Sequence, residues 1–199
     1  MRCCTSHEHD APRAARLLWL AALPLLLFML HAAAESPDAG FEVRSVHTRL
    51  VDGVYLLDAD IDFDFSDESL EALHSGVPLT VAVEMEVLRE RLLVDDRIAR
   101  VAALYQLHVH ALSGQYVVTA LATGSTRTFP TYPEAVAELG RLRDFPLFDA
   151  ALLDDDEAYR LRMRASLDIE ALPSPMRLIA YFDSLWRLSS NWYSWELQR

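Results

Sequence analysis

The sequence predicts a mainly β protein with a few short helices, an α+β fold built on an antiparallel, sandwich-like sheet system. Three observations carry this. Tyr55 to Phe65 has apolar residues at every odd position and aspartate at every even position from Asp58 to Asp64, the period of a half-buried strand. Leu79 to Leu88, Val101 to Ala111 and Tyr159 to Leu167 repeat that alternation. Short turn signals join the strands, and the helices fall in connections rather than alternating regularly with them, which favours antiparallel pairing over a parallel α/β fold.

The first element is set apart from the fold. Arg2, Arg13 and Arg16 precede an unbroken apolar run, Leu17 to Leu30, followed by His31-Ala-Ala-Ala34. A basic flank, an apolar run and small residues at Ala32 and Ala34 predict a secretory signal peptide over 1–34, cut before Glu35. An uncleaved anchor is the alternative, although the 14 apolar residues fall short of the about 20 that span a bilayer as a helix. Both cysteines, Cys3 and Cys4, lie in this segment, so the mature chain offers no disulfide, thiol nucleophile or cysteine metal site. No later stretch is apolar enough to span, so no transmembrane segment is expected in the mature chain.

The chain carries a net charge of −12, and the leader's single net positive charge leaves −13 on the 165 residues after it. An acidic surface opposes nucleic-acid binding and attachment to anionic lipid. The sequence has no lysine, which excludes Schiff-base chemistry and a phosphate-loop lysine.

Residues 35–40 read as a linker and 41–199 as one β-rich domain. Phe41 to Val51 forms a strand closed by the Asp52-Gly53 turn, and the aspartate strand completes the hairpin. Ser66 caps a short helix with Asp67 and Glu68 in its first turn, and Gly76 with Pro78 stops it. Leu79 begins the next strand, read as continuing toward Leu93, and Asp95-Asp96 turns the chain. Val101 to Ala111 follows, then the Ser113-Gly114 turn, a strand over Gln115 to Thr123, a turn at Gly124-Ser125 and a short strand near Arg127 to Phe129. Thr131 caps a helix over Pro133 to Arg143. Phe145 to Asp156 reads as a loop. Tyr159 to Leu167 is a strand, Met176 to Leu185 a helix, and Trp186 to Leu197 a closing aromatic segment.

Four constellations invite chemistry. Asp60, Asp62, Asp64 and Glu71 match positions 1, 3, 5 and 12 of a calcium loop, but Phe65 stands where glycine is needed. The competing reading is a structural charge ladder in which Arg160, Arg162 and Arg164 lie opposite Asp58, Asp60, Asp62 and Asp64 as cross-strand pairs. His108 and His110 share a strand face and present two imidazoles to a metal, with His47, Glu84 or Glu86 as the third ligand sought. The alternative places both on a solvent face. Trp192, Tyr193 and Trp195 suggest a glycan platform or partner anchor, against a closing strand with Tyr193, Trp195 and Leu197 inward and Trp192 outward. Ser113-Gly114 lacks the frame of a nucleophile elbow. No catalytic set and no cofactor are expected.

Asp52 to Asp60, Glu71 to Leu79, Tyr105 to Tyr116, Leu167 to Pro173 and the closing Trp-rich segment, in this order, resemble an uncharacterised proteobacterial exported family, domain of unknown function 4390. The resemblance spans roughly residues 41–197. It implies a periplasmic protein with no assigned activity, linked through gene neighbourhood to membrane sensor kinases. These readings together predict an exported, non-catalytic binding or accessory protein of the cell envelope with a protein partner. A metal-dependent enzyme or metal-binding protein using His108 and His110, and a glycan-binding module using the C-terminal tryptophans, are the alternatives.

Overall fold

A computed structural model describes residues 40–154 and 156–197; the predicted signal peptide and all of the linker but Gly40 lie outside them. Among the described residues no helix is long and apolar enough to cross a membrane. The described residues form an α+β fold of nine strands, three short α-helices and three single 3-10 turns, with the strands in two antiparallel sheets.

The hairpin of β1 (Phe41–Val51) and β2 (Val54–Phe63) forms as expected. Its turn places Asp52 at φ 49 and Gly53 at φ 82, the two positive dihedrals of the primed turn that matches strand twist. Helix α1 (Asp67–His74) starts where Ser66 accepts a hydrogen bond from the Ser69 amide. It delivers the chain to β3 (Leu79–Arg89), β4 (Asp96–Val109), β5 (Tyr116–Ala120) and β6 (Ser125–Phe129), an antiparallel meander. Helix α2 (Tyr132–Leu139) leads into β7 (Arg141–Asp149), and β8 (Tyr159–Leu167), α3 (Ser174–Phe182) and β9 (Tyr193–Glu196) complete the chain.

One sheet runs β1-β2-β7 and the other β6-β5-β4-β3-β8-β9. Their apolar faces share one core: Val43, Tyr55, Leu57 and Ile61 from the smaller sheet pack in the same cluster as Leu79, Val83, Leu161 and Met163 from the larger. Alternation along each strand supplies these residues, which is why the period-two pattern located the core. Strand β3, hydrogen-bonded on both sides, is the most completely buried.

Three expectations need correction. The helix read over Pro133 to Arg143 ends at Leu139, and Arg141 to Asp149 is strand β7 against β2 rather than helix tail and loop. Pro146 and the positive φ of Asp144 (52°) break the alternation there; an edge strand tolerates both. Gly140 makes the switch possible. Its carbonyl accepts from the Ile61 amide at 2.8 Å, and a Cβ on it would sit 2.0 Å from the Ile61 carbonyl oxygen. Strand β3 stops at Arg89, so Leu93 belongs to a hairpin tip and not to the strand. Strand β4 starts at Asp96, five residues earlier than read, and ends before His110.

Candidate functional site

The outer face of the larger sheet carries the most organised set of polar side chains. Even positions of β3 and β8 point away from the core, which puts Glu84 and Glu86 beside Arg164 and Arg162 in register. Glu86 accepts from Arg162 Nε at 2.7 Å and from Arg97 Nη1 at 2.9 Å. Glu84 accepts from Arg164 Nη2 at 2.7 Å and from Arg100. Arg160 pairs with Glu90 at 2.5 Å. Glu86 is only 3% exposed. Burial pushes its carboxyl upward, but the bonds from Arg162 and Arg97 outweigh that and hold it below the usual carboxylate range; Glu84 follows the same balance with Arg164 and Arg100.

The predicted arginine row is therefore real, but its partners are glutamates. Arg160, Arg162 and Arg164 lie in the larger sheet, Asp58, Asp60 and Asp62 in the smaller, and Asp64 just past the end of β2. Asp58, Asp60 and Asp62 are instead bound by Arg49, Arg143 and Arg44, and Ser45 Oγ also donates to Asp60 at 3.0 Å. The Arg143 hydrogen bond lowers the Asp60 carboxyl below its ordinary range. Asp58 also accepts from the Asp144 amide at 2.8 Å, which pins the positive-φ residue of β7. Sequence periodicity shows that such rows share a face but is silent on which strand lies beside them. The calcium spacing meets a strand in its first half, since Asp60 and Asp62 lie within β2, where alternating side chains cannot wrap around one ion.

Trp192 lies over the arginine row, its ring 4.4 Å from the Arg162 guanidinium carbon and 4.8 Å from that of Arg164. The indole quadrupole attracts both cations, so that face of Trp192 is already covered. Tyr193 and Trp195 sit 6.1 Å apart. Trp195 packs against the core, while Tyr193 is more exposed than the inward position expected of it. The three rings thus do not form one open platform. His108 lies on β4 with its Nδ1 buried and without a hydrogen-bond partner. His110 lies past the strand end, its Nδ1 3.1 Å from Ser113 Oγ. Among the described residues no three His, Cys, Asp or Glu side chains converge on a metal position; Glu84 and Glu86, sought as a third ligand, are each held by two arginines.

Next to Glu84 the same face opens into a groove of about 420 Å³. Ala82, Ala102 and Leu104 form its floor, Ile169 and Tyr181 one wall, and Glu84, Asp168 and Glu170 supply acidic groups. The small alanines leave the space. Tyr181 belongs to α3, whose residues Leu178, Tyr181 and Phe182 form an apolar stripe at helical spacing that continues to Leu185 just beyond the helix. This stripe faces outward: Leu178 is 65% and Phe182 84% exposed. Sequence reading identified the helix but not this surface, because an amphipathic pattern does not say whether its apolar face meets a core.

No curated protein and no solved structure matches the chain. The family model of a domain of unknown function, DUF4390, matches residues 38–196. That span takes in every strand and helix described above, and the chain belongs to the DUF4390 family.

Proposed function

We propose that the protein is exported and acts in the cell envelope as a non-catalytic binding protein, holding a basic, amphipathic segment of a protein partner against the groove and helix α3. The observation that carries this reading is the outward apolar stripe of α3, continuous through Tyr181 with a groove that has acidic groups along it. Apolar surface of this kind is uncommon on a monomer unless something covers it. Glu84 and Glu170 are already paired with arginines, so Asp168 at the groove and the chain's net charge of −12 are what favour a basic partner over an acidic one. The Arg2–Ala34 pattern supports export, and family membership is consistent with it without naming an activity. A periplasmic segment of a membrane signalling protein is the first partner class to examine.

The test uses the tagged full-length protein in its native host. Osmotic-shock fractionation and N-terminal sequencing are expected to place a chain beginning at Glu35 outside the cytoplasm. In-cell crosslinking is expected to recover one recurrent envelope protein, lost with Leu178→Ser/Phe182→Ser. A cytoplasmic location, or equal recovery by the wild type and the variant, would overturn the reading.

A further inference from the structure

Among the described residues, the turn between β3 and β4 carries three consecutive exposed apolar side chains. Leu92, Leu93 and Val94 at its tip are 104%, 96% and 77% exposed, so they bury almost nothing in their own fold. A turn needs only residues that permit its dihedrals, and Gly, Asn, Asp or Ser serve that need. Three consecutive large apolar residues at a protruding tip have no role in stability. Surface loops that carry such residues on a rigid scaffold are where recognition concentrates.

The base of this tip is held firmly. The Glu90 amide donates to the Ala158 carbonyl at 3.0 Å, Arg89 pairs with Asp154 at 3.0 Å, and Arg91 bonds both Asp96 and Glu157 at 3.4 and 3.2 Å. Asp95 Oδ1 accepts from the Arg91 amide at 3.2 Å. The tip therefore stands on a collar tied to the loop before β8, which lowers the ordering cost of binding through it. The collar is also acidic. Among the described residues of 89–96 and 154–160, six carboxylates face three arginines, and each arginine is already engaged by a carboxylate.

We propose that the β3–β4 tip is a second recognition element, inserting Leu92 and Leu93 into an apolar pocket of a protein partner whose rim carries Lys and Arg. The charge of the collar chooses among the occupants of such a tip. An anionic bilayer is repelled by it, and a second copy would bring two acidic collars together. A basic-rimmed protein pocket satisfies both the apolar tip and the net negative charge of the collar, whose carboxylates outnumber its arginines. The tip rises from Arg89, and the lining of the α3 groove reaches along β3 as far as Glu84, about 17 Å away at the rise of a strand. The two surfaces are therefore separable by mutation.

The test places a photoreactive residue at Leu93 of the full chain in its native host, with Thr126 on β6 as the exposed control. Any protein captured from Leu93 is identified, its crosslinked residue mapped, and its binding to the purified wild type measured by titration. The proposal expects a mapped apolar pocket ringed by Lys and Arg. It also expects binding weakened at least about tenfold by Leu92→Ser/Leu93→Ser, and binding whose salt sensitivity falls with Asp156→Asn, at an exposed carboxylate of the collar. Both Leu→Ser changes fall on exposed side chains, so an unchanged melting temperature distinguishes loss of binding from loss of fold. The proposal is overturned by capture from Leu93 no greater than from Thr126, or by titrations that the variants do not change. It is overturned equally if the crosslink joins two copies and sedimentation shows a dimer. Leu93-dependent flotation with phosphatidylethanolamine–phosphatidylglycerol vesicles would assign the tip to lipid instead.

Discussion

Replacing Glu86 by glutamine tests whether the ladder on the outer face is an energetic feature of the fold. The change keeps the shape of the side chain and removes its charge. In the wild type one oxygen accepts from Arg97 and the other from two nitrogens of Arg162. The amide retains one acceptor and turns an NH₂ group toward the second guanidinium, so one charge-assisted interaction is lost and the other weakened. Hydrogen bonds to charged groups contribute about 1.5–3 kcal/mol each. Arg97 and Arg162 remain partly exposed and regain water, which places the net loss near the lower end, about 2 kcal/mol. For a domain of this size that lowers Tm by about 4–8 °C.

The pH dependence gives a stricter check. The folded carboxyl is held below its unfolded value, so its contribution is fully present above the unfolded value and disappears as pH falls through the folded one. The gap between wild type and Glu86→Gln is therefore expected to be full at pH 7 and to close in acid. Urea denaturation of both proteins at pH 7 and down to about pH 3 measures it. A gap below about 0.5 kcal/mol at pH 7, or one unchanged in acid, would mean that the Glu86–Arg97–Arg162 cluster does not stabilise the fold.

Three further outcomes concern stability, the third being the control for the variant used to test partner binding. Gly140→Ala is expected to cost about 2–4 kcal/mol, since the added Cβ would displace the Ile61 backbone and its hydrogen bond; a urea midpoint equal to the wild type would contradict the packing of β2 against β7. Tyr132 is pushed up to about 12, by burial first and then by the charges of Asp64 and Tyr116, from an ordinary value of 10.0. Its contribution is complete below pH 10 and lost as pH rises through the folded value, so Tyr132→Phe should lessen the alkaline decline in Tm, and an identical decline would count against a buried Tyr132. Leu178→Ser/Phe182→Ser should leave stability within about 0.5 kcal/mol of wild type, as thermal melting would show; a large loss would mean that α3 is covered within its own chain.

Periodicity made the fold class legible because each face of a strand meets one environment. The β1–β2 hairpin, the Ser66 cap and the bounds of β8 follow from local rules that need no partner. Strand β7 escaped because Pro146 and Asp144 interrupt its alternation, and a helix reading ran on past Gly140, whose close approach to Ile61 is a tertiary fact. Arg160, Arg162 and Arg164 were recognised as a face but assigned to the wrong carboxylates, since pairing depends on strand order and β3 comes some 80 residues earlier. The candidate surface was least legible. Leu178 and Phe182 look like core residues in a sequence, and Leu92 and Leu93 like the end of a strand, until the burial of each is known.

The central claim is that the groove beside α3 is a protein-binding surface, and residue-resolved crosslinking from its wall tests it most directly. A photoreactive residue at Tyr181, read against one at Arg127 on β6, would be activated in living cells and the joined residues mapped. The expected result is a single envelope protein joined to position 181 through an apolar segment flanked by Lys or Arg. Equal labelling from 181 and 127, or joining to an acidic segment, would contradict it.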